Sequence, residues 1–89
     1  KVENRLLQSF NATTTIRFTL PEETKVENVI YDLIGHEVWK SPKTNYSAGT
    51  YSIVWNGLNY SSQPVGTSLY VVRLCSEKYS ITQKVLYMK

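Results

Sequence analysis

Thr14-Thr15-Ile16-Arg17-Phe18-Thr19-Leu20 alternates without a break: Ile16, Phe18 and Leu20 fall on one side, Thr15, Arg17 and Thr19 on the other. A strict period of two over seven residues specifies a β-strand with one buried face. A helix would scatter the same apolar residues around its circumference. Thr50-Tyr51-Ser52-Ile53-Val54-Trp55 repeats the pattern, with Tyr51, Ile53 and Trp55 sharing a face. Both stretches are rich in β-branched and aromatic residues, which suit a pleated, half-buried surface. Ile16, Phe18, Tyr51, Ile53, Trp55 and Tyr70 are therefore the expected core.

Outward from these strands, residues 26–33 and 69–75 are more continuously apolar, and 80–88 reads as a closing strand. Glu37–Lys40 is a short strand entered through Gly35. The breakers between them have specific causes. Pro21 supplies no ladder donor and ends the first strand. Ser41-Pro42, Ala48-Gly49 and Asn56-Gly57 are turn signals, and 61–66 is a longer polar connection. No segment carries an apolar stripe at helical spacing. Six or seven strands with frequent turns predict an all-β, antiparallel two-sheet sandwich.

A chain of 89 residues makes one domain, since domains run to roughly 100–150 residues. It starts at Lys1 and reads as a piece of a longer protein, with residues 1–8 as the end of a linker. Ten Lys and Arg against seven Asp and Glu leave +3, but the charges are scattered. The longest like-charged run is Glu22-Glu23, so no basic stripe awaits a phosphate backbone and no nucleic-acid partner is expected. No apolar run approaches the roughly 18 residues of a membrane span. Cys75 is the sole cysteine and cannot form an internal disulfide. One histidine and one cysteine cannot build a four-ligand zinc site, and no cofactor is expected.

The order of these blocks resembles a known family. Ser9-Phe10-Asn11-Ala12-Thr13-Thr14-Thr15-Ile16-Arg17-Phe18-Thr19-Leu20-Pro21 is similar to the opening of the type A sorting domains of type IX secretion cargo. Ile30-Tyr31-Asp32-Leu33-Ile34-Gly35-His36-Glu37-Val38 resembles that family's Val-Tyr-Asp-x-x-Gly-x-Glu-Val. Gly49-Thr50-Tyr51 with Trp55-Asn56-Gly57 looks like an element shared with the immunoglobulin-like domain of flagellar hook-capping proteins. Tyr70-Val71-Val72-Arg73-Leu74 and Lys84-Val85-Leu86-Tyr87-Met88-Lys89 complete the pattern. Asn28 departs from it, standing where the family usually has an apolar residue. The resemblance implies a non-catalytic, immunoglobulin-like C-terminal module of about seven strands. It implies a parent protein with upstream domains, carried through the periplasm to the cell surface or medium of a bacterium. It also implies that secretion machinery reads the last strand with its neighbour, through Tyr70, Val71, Val72, Arg73, Lys84, Val85, Leu86 and Lys89. An edge strand with free N–H and C=O groups recruits partners by β-addition.

His36 and Cys75 are the only pair that suggests nucleophilic catalysis, which needs a base within hydrogen-bond reach. A turn histidine and a spare strand cysteine explain them without an enzyme, and none is expected. The acids Glu22, Glu23, Glu27, Asp32, Glu37 and Glu77 lack calcium-loop spacing. Trp39 follows Val38, which takes the inward position by alternation; the indole is then expected to point outward, covering a sheet edge or packing against the parent protein, with an exposed contact to another protein or, more weakly, to polysaccharide as the functional alternative. That contact underlies the main alternative, an accessory binding or spacer module of an extracellular hydrolase. A structural subunit domain, as in hook-cap assembly, is the other rival. Asn11-Ala12-Thr13, Asn45-Tyr46-Ser47 and Asn59-Tyr60-Ser61 match the glycosylation acceptor pattern, but in a chain rich in Ser and Thr they read as polar turn and strand residues.

Overall fold

A computed structural model describes residues 13–89. The first-block residues Ser9 to Ala12, the acceptor at Asn11 and the linker 1–8 lie outside the described residues. Seven strands follow one another: β1 (Thr14–Leu20), β2 (Thr24–Tyr31), β3 (Glu37–Lys40), β4 (Thr44–Tyr46), β5 (Gly49–Trp55), β6 (Ser68–Cys75) and β7 (Ser80–Tyr87). All pairings are antiparallel. β1 pairs β5 in one sheet, and β3, β2, β6 and β7 run in that order in the other, with β4 also on β2. This is the two-sheet sandwich that the alternation predicts.

The first strand behaves as its sequence requires. Ile16, Phe18 and Leu20 are buried while Thr15, Arg17 and Thr19 are exposed. Opposite them, Trp55 is buried, and Tyr51 and Ile53 are half-buried at the β5 side of the sheet. One core cluster joins Ile16, Ile30, Trp55, Tyr70, Val72 and Tyr87. A second joins Phe18, Leu20, Val26 and Leu74, and Ile53 packs against both. Trp55 meets Tyr70 edge-to-face at 5.2 Å and Tyr87 at a tilt at 5.3 Å between ring centroids. Each large apolar side chain so buried contributes about 1.5–3 kcal/mol.

Two irregularities break the period of two. Ile30 pairs with Trp39 and Tyr31 with Glu37, so Val38 is the extra residue of a β-bulge. The chain also skips at Ser41-Pro42, between β3 and β4. There Ser41 N–H donates to Asn28 O at 2.9 Å, and Asn28 N–H donates to Ser41 Oγ at 3.0 Å. The serine completes the ladder that the following proline cannot continue.

Candidate recognition surface

β6 and β7 are hydrogen-bonded neighbours across eight residue pairs, from Ser68↔Tyr87 to Cys75↔Ser80. Alternation then divides the expected recognition residues into two sets. Tyr70 and Val72 are buried in the core, and their partners Val85 and Gln83 are half-buried on the same inner face. Burial pushes the Tyr70 phenol up, and its hydroxyl donates to Gly66 O at 2.7 Å. These inward residues shape the sandwich: Tyr70 and Val72 belong to the first core cluster, and the half-buried Val85 packs against it.

Val71, Arg73, Lys84 and Leu86 lie on the opposite, outward face. Val71 pairs with Lys84, Leu69 with Leu86, and Arg73 with Thr82. The face continues onto β2, where Tyr31 stands beside Val71 and Val29 beside Arg73, and onto β3 at Lys40. Leu69 and Leu86 are 42% and 53% exposed. Arg73 Nε donates to Ser80 Oγ at 3.0 Å, and Lys40 Nζ lies 3.9 Å from Glu27 Oε2. The result is an outward apolar strip at Leu69, Val71 and Leu86, bordered by Arg73 and Lys84, with the Lys40–Glu27 pair and Glu37 further along the same face. Lys89 sits just beyond β7, its backbone N–H held by Thr67 Oγ1 at 2.9 Å.

Trp39 does not stand out from the sheet. It is half-buried and packs against the first core cluster, as Val38 also does. The bulge is the physical reason, because two successive residues oppose one and both turn toward the same side. The outward orientation that alternation predicts is thus not adopted, and the half-buried indole covers the edge of the core.

His36 and Cys75 are not brought together. Cys75 pairs with Glu27 at one end of β2, whereas His36 lies in the turn beyond Tyr31 at the other. Asp32 organises that turn: its Oδ1 accepts from Ile34 N–H at 3.1 Å and from His36 N–H at 2.8 Å. The His36 N–H bond, with help from the nearby imidazole and the Ile34 N–H, holds the Asp32 carboxyl below its ordinary value. Across the same end, Tyr60 Oη donates to Glu37 Oε2, and Tyr60 N–H donates to Val38 O at 3.1 Å. The β5–β6 connection thereby covers part of the β3 edge.

The outer edge of β7 is not bare. Thr14 Oγ1 donates to Leu86 O at 2.9 Å, and Gln83 Nε2 donates to Arg17 O at 3.2 Å. These side chains join β7 to β1 where no backbone ladder forms. The sequence did hold a signal for this feature, since Gln83 is a polar residue at an inward position of an alternating strand.

No protein-family model and no curated protein matches the chain. Among solved structures, the fold is similar to that of FlgD from P. aeruginosa, a flagellar hook-capping protein, with a TM-score of 0.69 at 21% identity. The match covers 84% of this chain and 58% of FlgD, so the chain spans little more than half of that protein's length. The likeness concerns the fold of the sandwich.

Proposed function

We propose that the chain is a non-catalytic sorting module of a longer secreted protein, directing it across the outer membrane by type IX secretion. One observation carries this reading. The two strands that the sequence resemblance links to recognition are adjacent across eight residue pairs. Their outward residues Val71, Arg73, Lys84 and Leu86 share one accessible face. The recognition set is accordingly these four residues, with Lys89 beyond them, and the partner is a protein of the export machinery. The accessory-module alternative loses the exposed indole on which its polysaccharide contact rested, because Trp39 packs inward.

The test is a fusion. The 89-residue chain is joined behind a signal peptide and a fluorescent reporter, and expressed in a bacterium that has the type IX machinery. The reporter is expected at the cell surface or in the medium. A fusion that stays periplasmic while demonstrably folded removes the sorting role and leaves a structural module.

A further inference from the structure

β1 and β7 run side by side and antiparallel, with Thr14 at Leu86 and Arg17 at Gln83. Beyond Gln83 the side-chain bridges stop, and the two edges frame a cleft of about 470 Å³. Its lining is Phe18, Leu74 and Ile81 in the interior, with Arg17, Gln83 and the Thr19–Thr50 pair at the rim. Phe18 and Leu74 are almost fully buried, yet Ile81 on the same inner face is 48% exposed. An apolar side chain is thus left half-covered at the mouth of the core. Arg17 has no ion-pair partner among the described residues, and no acidic side chain lines the cleft. At its end, β7 residues Ser80 to Gln83 pair with β6 on one side only.

We propose that this cleft is a binding site for an extended peptide segment carrying an apolar side chain beside a carboxylate. The apolar side chain covers Ile81 above Phe18 and Leu74, and the carboxylate meets the Arg17 guanidinium. The peptide backbone adds to the open edge of β7, the recognised mode of strand addition at a sheet edge. The volume lies in the range of small-ligand sites, enough for a few side chains and too small for a folded partner. A lone strand therefore fits where a second domain does not. Arg17 supplies selectivity, because its planar fork matches a carboxylate and repels a cation. This site is distinct from the outward face of β6 and β7 and does not depend on the export reading.

The test uses the isotopically labelled 89-residue chain and three blocked hexapeptides. One alternates valine with glutamate, one alternates valine with lysine, and one is the glutamate peptide with alternate backbone nitrogens methylated. Amide shifts on titration with the glutamate peptide are expected at Arg17, Phe18, Thr19, Ile81 and Gln83. The lysine peptide should bind several-fold more weakly and the methylated peptide not at all. Arg17→Glu, at an exposed position, should reverse the preference between glutamate and lysine without changing the rest of the spectrum. Ile81→Asp should abolish binding of the glutamate peptide. Equal binding of the charged peptides, undiminished binding of the methylated one, shifts centred on Val71, Lys84 and Leu86, or no shift up to the peptide's solubility limit would each overturn the proposal.

Discussion

Gly57 sits at φ +76°, where an L side chain is strained, and a Cβ there would overlap the Tyr87 ring. Gly57→Ala should therefore cost about 1–2 kcal/mol from backbone strain, plus the displacement of Tyr87 from Trp55. Thermal melting should show a clearly lowered Tm. Asn28 is the opposite case. It is 1% exposed and its Oδ1 has no hydrogen-bond partner among the described residues. An unsatisfied buried acceptor costs about 1–3 kcal/mol, so Asn28→Leu, similar in size, should raise the melting temperature. A fall in Tm would mean that the amide serves the fold in some other way. The Asp32 turn adds a pH dependence whose sign is fixed. Its carboxyl is held below the ordinary 3.8 in the folded chain, so it stabilises the turn above that value. That contribution is lost as pH falls through the lowered folded value. Hydrogen exchange at Ile34 and His36 should accelerate in that acid range, and Asp32→Asn should remove the acid dependence.

At the scale of elements, β7 serves both the core and the surface, and the two can be separated. Removing residues 84–89 takes away Tyr87, which is 4% exposed and packed at a tilt against Trp55. That truncation should abolish cooperative unfolding, because losing a core aromatic alone costs about 3–5 kcal/mol. Lys84→Glu, on the outward face, should leave the melting temperature almost unchanged. Export loss in the truncation is thus uninformative, and point variants are the sound probe. The legibility of the strands follows the same division. β1 and β5 were readable because each has one buried and one exposed face, so alternation marks which side is in. β6 was ambiguous because Val71 and Leu69 add an apolar outward face to the apolar inner one. Trp39 was misread because alternation cannot reveal a bulge, which depends on the pairing of Ile30 and Tyr31 with the strand opposite. Trp39→Ala is accordingly expected to lower Tm, as a core-edge aromatic should, where an exposed indole would leave it unchanged.

Across the whole molecule, the two sheets meet around Trp55, Tyr70 and Tyr87, contributed by β5, β6 and β7. Motifs distant in sequence, Trp55-Asn56-Gly57 and the last strand, prove to be halves of one packing unit: Gly57 makes room for Tyr87. The sequence displayed both motifs but not their contact, which exists only once β6 and β7 have paired. The β1–β7 cleft was invisible for the same reason, since Arg17 and Ile81 are far apart along the chain. β6 and β7 were legible as two strands, and only their pairing sorts their residues into inward and outward faces. On the proposed function, the outward face of β6 and β7 is what the export machinery reads. The most direct measurement is the fraction of the reporter fusion reaching the medium when Arg73→Glu and Lys84→Glu are combined, with melting temperature recorded beside it. An unchanged melting temperature and a periplasmic reporter are expected. A folded double variant exported as efficiently as the parent chain would remove this face as the recognition surface.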